Sequence, residues 1–238
     1  MAKERLDKLI SSQSMMTRSD ASKIIKSGSV CVNGTVVKST SFKADPETDT
    51  IKVNGVDFVY KKYIYIMLNK PQGVVSASRD PKEKTVIDLV PDELKRPDLF
   101  PAGRLDKDTT GFVLITDDGD YAHNILSPRH HVEKTYLAET DCIIDEEFLV
   151  KMRSGMMLGD DQLLDAKIDL ISDENNPVYK IIIREGKYHQ IKRMIGATNA
   201  VLLSLKRIRM GKLDLDDSLA PGECRELTAE ETLLVQEK

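Results

Sequence analysis

Two acids, two bases and two threonines lie between glycines in the stretch Gly103-Arg104-Leu105-Asp106-Lys107-Asp108-Thr109-Thr110-Gly111, and an apolar run typical of a strand, Phe112 to Thr116, follows it. Polar loops at the ends of strands often hold active sites. From composition alone, a turn whose carboxylates cap neighbouring amides is the more ordinary explanation. A metal site formed by the four aspartates of residues 106–118 is a weaker alternative, because their spacing does not place them around one ion.

Segments typical of strands and of helices alternate irregularly on both sides of this loop. The run from Tyr63 to Leu68 has the character of a buried strand, and further strands are predicted over 112–116, 135–140 and 179–184. Helices are predicted over 118–126, 145–154, 188–196 and 228–236. This order, with its many hairpin-like turns, favours an α+β domain whose mixed, mostly antiparallel sheet is flanked by helices.

The first sixty residues have the features of a small separate module. Apolar residues at positions 6, 9 and 10 have helical spacing, and Thr17 with Asp20 resembles a capping box that opens a second helix. Gly28 lies where that helix would end. The dipeptides Asn33-Gly34 and Asn54-Gly55 favour tight hairpin turns. With Lys61-Lys62 as the junction, the predicted domains are residues 1–58 and 63–238.

Charge is distributed unevenly along the chain, whose net value is −4. Residues 1–62 contain eleven Lys or Arg and seven Asp or Glu, and residues 176–212 contain nine Lys or Arg and one acid. The last 26 residues reverse this balance, with eight acids and two bases. A polyanion responds to the local field, so the two basic stretches suggest an RNA partner. A solvated basic surface would have the same composition.

Cysteine usage and hydropathy predict a cytoplasmic protein. The three cysteines are odd in number and widely spaced, which suits reduced thiols and does not form a disulfide framework. No pair has the spacing of a structural zinc site. No apolar run approaches the roughly 20 residues that span a bilayer, and the N-terminus lacks the apolar segment of a secretory signal.

The central loop, with five further blocks in the same order, resembles the RsuA-type family of bacterial pseudouridine synthases that modify small-subunit (16S) ribosomal RNA. The blocks are Leu68-Asn69-Lys70-Pro71-Gln72-Gly73, Ser127-Pro128-Arg129-His130-His131 with Glu133-Lys134-Thr135-Tyr136, Glu185 to Met194, Arg207 to Gly211 and Leu219 to Glu223. The N-terminal module resembles the S4 RNA-binding domain in Arg5-Leu6-Asp7-Lys8, Arg18-Ser19-Asp20-Ala21 and Gly28-Ser29-Val30. The blocks cover nearly the whole chain.

The resemblance implies an isomerase that needs no metal and no other cofactor. Pseudouridine formation breaks the bond from ribose to N1 of uracil and rejoins the base through C5, with no net oxidation or hydrolysis. By resemblance, Asp106 is the nucleophile, Tyr136 is the active-site tyrosine, and Lys192 is the cation that pairs with the aspartate. Many relatives have Arg in place of Lys192, so a bidentate pair is not expected here.

The resemblance also implies contacts with RNA. Arg104 matches the residue that fills the space vacated when the target uridine leaves its stack. Phosphate contacts are expected from Lys70, Arg129, Lys187, Arg193 and Arg207, and from Arg5, Arg18, Lys23 and Lys26 of the N-terminal module. The histidines His130, His131 and His189 are assigned to RNA contact or structure. The expected partner is ribosomal RNA or a small-subunit assembly intermediate, and a monomer is expected.

Three alternatives remain open at this point. A non-catalytic RNA-binding assembly factor would need only the N-terminal module. A synthase that acts on large-subunit ribosomal RNA would have the same motifs. A metal-dependent nuclease would use the aspartate cluster. The complete loop, together with Tyr136 and Lys192, favours the synthase.

Overall fold

A computed structural model of the chain describes residues 3–127 and 132–237. The described residues form two compact units, one of residues up to 64 with 90–99 and one of residues 65–89 with the chain from 100 onward. No helix within the described ranges is both long and apolar enough to cross a membrane.

The first unit packs two short helices beside small antiparallel sheets. Its elements are β1 (Glu4–Arg5), α1 (Leu6–Ser12), α2 (Arg18–Lys26), β2 (Val30–Val32), β3 (Thr35–Val36), β4 (Lys43–Ala44), β5 (Ile51–Val53) and β6 (Val56–Asp57). Strand β1 pairs with β4, and the other strands form a sheet in the order β3-β2-β5-β6. Leu6, Leu9, Ile25 and Val30 are fully buried in the core of this unit.

The predicted ends of the second helix are confirmed. The Thr17 hydroxyl accepts a hydrogen bond from the Asp20 backbone N–H, and Gly28 follows the helix with a φ of +85°. The amides of Gly28 and Ser29 donate to carbonyls of the last turn, which completes a Schellman-type cap. Both Asn-Gly turns have two consecutive positive φ values, as the hairpin prediction requires.

The second unit is built on a large sheet. Its elements are β7 (Tyr65–Lys70), a 3₁₀ turn (Ile87–Leu89), β8 (Phe100–Pro101), β9 (Thr110–Thr116), α3 (Gly119–Leu126), β10 (Lys134–Thr140), α4 (Glu146–Ser154), β11 (Met157–Leu158), β12 (Asp161–Gln162), β13 (Lys167–Ser172), β14 (Val178–Ile183), α5 (Gln190–Gly196), β15 (Leu202–Met210), β16 (Leu213–Asp214), β17 (Cys224–Glu226) and α6 (Ala229–Gln236). The four predicted helices correspond to α3, α4, α5 and α6.

The sheet is mixed and mostly antiparallel, which confirms the predicted fold class. Its order is β13-β14-β10-β15-β9-β7-β17, with β16 beside β15 and β8 beside β9. Only the pairing of β9 with β15 is parallel among the strand pairs of the described residues. One apolar cluster packs helices α3 and α6 against the sheet, through Ile125 and Val235 on the helices and Met67, Phe112 and Leu114 on the strands.

Candidate active site

Asp106 lies in the loop of residues 102–109, here named the Asp106 loop, which connects β8 to β9. The loop is anchored to the chain that follows β7. Leu105 donates its backbone N–H to the Ser76 hydroxyl and accepts the hydroxyl proton of Ser76 at its carbonyl, each over 3.0 Å. The Gly73 amide donates to the Lys107 carbonyl over 2.8 Å. Main-chain hydrogen bonds therefore set the position of the Asp106 loop.

Lys70, at the end of β7, braces the same loop from inside the protein. Its ammonium is fully buried and donates to the carbonyls of Thr109 (2.7 Å), Pro71 (3.1 Å) and Lys107 (3.2 Å). Burial lowers the pKa of Lys70 to about 8, against the opposing effect of two nearby aspartates. The prediction that Lys70 contacts phosphate is wrong, because its charge points at the loop and not at solvent.

Gly111 allows β9 to approach β15 closely. Its φ is +97°, and a Cβ at this position would lie 2.2 Å from the Arg207 carbonyl oxygen. The parallel register pairs Gly111 with Arg207. The second glycine of the central motif is therefore required by this close approach as well as by its backbone conformation.

Lys192, on α5, lies between two carboxylates of the Asp106 loop. Its Nζ is 3.0 Å from Oδ2 of Asp106 and also donates to Oδ1 of Asp108. The Nε2 atom of His189 lies 3.3 Å from the other oxygen of Asp106. Both oxygens of the candidate nucleophile thus have a nitrogen partner, which fixes the plane of its carboxylate.

The charges of this cluster stabilise one another. The hydrogen bond from Lys192 holds the pKa of Asp108 below its ordinary value, against the opposing effect of burial. Partial burial disfavours the ammonium of Lys192, but its hydrogen bonds to Asp108 and Asp106 outweigh this effect, and the pKa of Lys192 is raised. At neutral pH the lysine is therefore protonated and Asp108 is ionised.

Tyr136 lies on β10 where the strand is irregular. A register shift after Thr135 places Tyr136 opposite Arg207 of β15. The Arg207 guanidinium donates to the Tyr136 hydroxyl over 3.4 Å and to the Phe112 carbonyl over 2.7 Å. Arg207 is buried, and its Nη2 has no hydrogen-bond partner among the described residues. The predicted phosphate contact of Arg207 is wrong, because this side chain lies beneath the tyrosine.

One cleft brings the three predicted catalytic residues together. Asp106, Tyr136 and Lys192 line it, with Arg104 and His189. Arg104 is exposed and makes no hydrogen bond or ion pair with any described residue. Among residues 3–127 and 132–237, no three His, Cys, Asp or Glu side chains converge as metal ligands would.

The other predicted RNA contacts of this unit differ in their surroundings. Lys187 lines the cleft, but its ammonium donates to the Gln162 carbonyl over 2.7 Å and lies 3.3 Å from Asp161. Arg193 donates to the same aspartate and to the carbonyl of Leu158. These contacts orient both side chains, and their role toward RNA stays a prediction. Arg129, His130 and His131 lie outside the described residues.

In the first unit, the predicted RNA-binding residues form local ion pairs. Arg5 lies 2.8 Å and Arg18 lies 3.4 Å from the buried carboxylate of Asp7. Lys23 pairs with Asp20 over 2.8 Å. The three basic side chains are about half exposed or more, and their role in RNA binding stays a prediction.

Three features of the site were not foreseen from the sequence. Asp108 is not among the catalytic residues that the resemblance implies, yet it shares Lys192 with Asp106. His189 was assigned to RNA contact or structure, and it lies against the Asp106 carboxylate. Arg207 braces Tyr136. Of these three contacts, the sequence gives a clue only to that of Asp108. Its carboxylate lies two residues from Asp106, so the two carboxylates are expected to have the same surroundings.

Two family models match the chain. The model described as RNA pseudouridylate synthase matches residues 64–197, and the model described as S4 domain matches residues 4–55. The first of these covers more than half of the sequence. Together the two matches follow the order of the two structural units.

Curated relatives resemble the chain over nearly its full length. An RNA pseudouridine synthase of Bacillus subtilis, YtzG, is 43% identical over 98% of both chains. Ribosomal small subunit pseudouridine synthase A of Escherichia coli K12 is 40% identical over 95% of this chain and 97% of its own. The enzyme of the same name from Vibrio vulnificus is 42% identical over the same shares.

Solved structures share the fold. The crystal structure of a pseudouridylate synthase superposes with a TM-score of 0.66 at 37% identity, covering 97% of this chain and 99% of the other. The archaeal box H/ACA Nop10–Cbf5 complex matches with a TM-score of 0.51 at 16% identity, over 68% of this chain and 52% of the other. At that identity the second likeness concerns the fold alone.

Proposed function

The chain belongs to the RNA pseudouridine synthase family, and we propose that it converts a uridine of small-subunit ribosomal RNA to pseudouridine with Asp106 as its nucleophile. The observation that carries the proposal is the contact of Lys192 with Asp106, at 3.0 Å, in the cleft that Tyr136 also lines. It supplies a carboxylate that is oriented by nitrogen atoms of the protein itself.

The reaction asks for a group that can stabilise or trap the ribose or base while the glycosidic bond is broken. An ionised carboxylate can do either, as a nucleophile or as a counter-charge to the cationic sugar. The proton removed from C5 balances the proton gained at N1, so the product is an isomer of the substrate. No step needs an external oxidant or a hydrolytic water.

Lys192 and Asp108 orient the nucleophile in this proposal. The ammonium of Lys192 contacts the Asp106 carboxylate, and Asp108 holds that ammonium from the other side. Because the cation is shared, Asp106 is only partly neutralised and keeps reactivity toward a substrate carbon. The phenol of Tyr136, held by Arg207, lies on the cleft wall, where it can stack on uracil and take part in proton transfer.

The target base must leave the base stack of the RNA to reach this cleft, and this extrusion costs about a few kcal/mol. Arg104 is the residue proposed to occupy the vacated space, and its freedom from protein partners within the described chain supports this role. Its planar guanidinium can stack on bases and contact phosphate. In the N-terminal S4 domain, Arg5, Arg18 and Lys23 are proposed to bind phosphates without reading sequence.

The choice of small-subunit RNA rests on the names of relatives about 40% identical over nearly the full length. The partner is then ribosomal RNA, free or in a small-subunit assembly intermediate, in the cytoplasm, and the enzyme is proposed to act as a monomer. A target in large-subunit RNA is the alternative, since the catalytic residues would be the same.

The test maps pseudouridine in both ribosomal RNAs of cells that lack the protein. Re-expressing the wild type should restore one small-subunit position, and Asp106→Asn should not, although its RNA affinity stays within about twofold because the change is isosteric. Asp120→Asn, which alters an exposed carboxylate of α3, is the matched control and should restore the position fully.

Three results would contradict parts of the proposal. Restoration by Asp106→Asn would remove the nucleophile assignment. A missing position in large-subunit RNA would transfer the substrate to that subunit. An unchanged map for both RNAs, with RNA binding intact in vitro, would favour the non-catalytic assembly factor.

A further inference from the structure

Tyr188 presents its ring to solvent next to the active-site cleft, between Lys187 and His189, which both line that cleft. Its side chain is 76% exposed, the largest value among the exposed hydrophobic residues of the described chain. The ring stacks on the imidazole of His189, with the two centroids 3.8 Å apart and the planes 20° from parallel. The histidine covers one face of the tyrosine ring, and the rest of that ring is largely exposed to solvent.

This aromatic pair lies next to the proposed nucleophile. His189 lines the cleft, and its Nε2 is 3.3 Å from Asp106. One imidazole ring therefore separates the Tyr188 ring from the reacting carboxylate. A nucleotide that flanks an extruded uridine stays joined to it through a single phosphate, so its base can lie beside the cleft, where the Tyr188 ring is exposed.

The segment that carries the pair is held firmly. The buried Gln190 side chain donates to Glu185 over 2.8 Å and accepts the Lys187 backbone N–H over 3.0 Å. Glu185 also accepts the Leu164 backbone N–H over 2.9 Å. His189 has a φ of +48°, a left-handed conformation that costs a non-glycine residue free energy. A strained conformation fixed by buried hydrogen bonds pre-positions the exposed ring.

We propose that Tyr188 and His189 form a stacking subsite for the nucleobase adjacent to the uridine that is isomerised. This inference rests on the proposed function and extends it to a second nucleotide. An exposed tyrosine beside a cleft lined by Arg104, which has no ion-pair partner among the described residues, suits a nucleic acid, since base and aromatic ring stack while the cation meets phosphate. A protein partner would need a wider apolar surface around the ring.

Binding and fluorescence measurements on a short RNA test the subsite. The probe is a synthetic fragment that spans the mapped uridine and carries 2-aminopurine, a fluorescent base, at the position just 5′ or just 3′ of it. Asp106→Asn provides the background, so that no turnover occurs during the measurement. Stacking on Tyr188 quenches the fluorescence at one of the two positions when the protein binds.

The expected results distinguish a stacking role from a structural one. Tyr188→Ala weakens binding by about 10-fold and abolishes the quenching, whereas Tyr188→Phe and Tyr188→Trp retain both. Replacing the stacked base by an abasic nucleotide weakens binding of the parent protein by a similar factor and has little further effect on Tyr188→Ala. Leu233→Ala, at an exposed α6 residue that does not line the cleft, serves as the control.

Equal abasic penalties for the parent and for Tyr188→Ala would overturn the subsite, as would unchanged affinity of Tyr188→Ala. These outcomes are independent of the proposed function, which is tested separately by product formation with the wild-type enzyme on the same fragment. Absence of product both on the fragment and on small subunits taken from cells that lack the protein, with normal quenching, would leave the subsite standing and remove the assigned reaction.

Discussion

Lys70 makes the stability of the enzyme depend on pH in a direction that can be measured. Burial lowers its pKa in the folded protein to about 8, from an ordinary value of 10.5 that applies to the unfolded chain. Between these values the unfolded state binds more protons than the folded state, so the unfolding free energy rises with pH. Burial of the Lys70 ammonium therefore lowers the unfolding free energy by its full amount below about pH 8, and this destabilisation disappears as the pH approaches 10.5.

The size of the effect follows from the two pKa values. Linkage predicts that this one group adds about 2 kcal/mol to the unfolding free energy between about pH 7 and pH 9.5. Lys70→Met removes the titrating group and keeps the length of the side chain. The difference in unfolding free energy between wild type and Lys70→Met should therefore shift by about 2 kcal/mol in favour of the wild type over the same range.

Urea unfolding of wild type and variant at several pH values measures this shift. Tyr65 and Tyr121, whose pKa values are raised mainly by burial, destabilise the fold as the pH passes about 10, but both proteins contain them and the term cancels. Lys82→Met, at an exposed loop lysine, should keep a constant difference from the wild type. A constant difference for Lys70→Met as well would refute the burial of a titrating ammonium beneath the loop.

Two further predictions concern the site and its support. Lys192→Met should lower kcat/KM by about 100-fold, since a hydrogen bond to a charged group is worth about 1.5–3 kcal/mol. Lys192→Arg should retain more activity because it keeps the charge. Equal losses of kcat/KM for the two variants in steady-state assays would contradict the role of the charge. Gly111→Ala should destabilise the fold by about 3 kcal/mol in urea unfolding, because its Cβ would meet the Arg207 carbonyl and its φ is positive. Gly119→Ala, with open space around the added methyl group, should be nearly neutral. Similar losses of unfolding free energy for the two variants would disprove the close approach of β9 to β15.

Much of the fold was predictable because local signals agreed with the final packing. Helices α3 to α6 lie within one or two residues of their predicted limits, and capping residues such as Asp118 and Thr228 explain why. Strand β13 was not predicted. It lies at the sheet edge with only Ile168 buried, and the alternation of Ile168 and Leu170 with polar residues is broken at Ile171, which makes the pattern too short to identify a strand.

The site was predictable in its residues and not in its contacts. Asp106, Tyr136 and Lys192 were named through motif resemblance, and the structure places them on one cleft. The partners of buried cations were missed, because a lysine or arginine in a basic block has the same sequence signature whether it meets phosphate or a carbonyl. Lys70 and Arg207 are such cases, and only their burial separates them from surface cations.

The contacts of these two buried cations explain how a flexible-looking polar loop can hold a reactive carboxylate. A loop of polar residues gains little from apolar burial, so its position must come from hydrogen bonds to its backbone. Lys70 supplies two of them from below, and Arg207 holds the facing tyrosine from the opposite strand. Positive charge is thus buried on both sides of the cleft, where RNA phosphates do not reach it. The two cations therefore hold the loop of the nucleophile and the facing phenol in position before any substrate arrives.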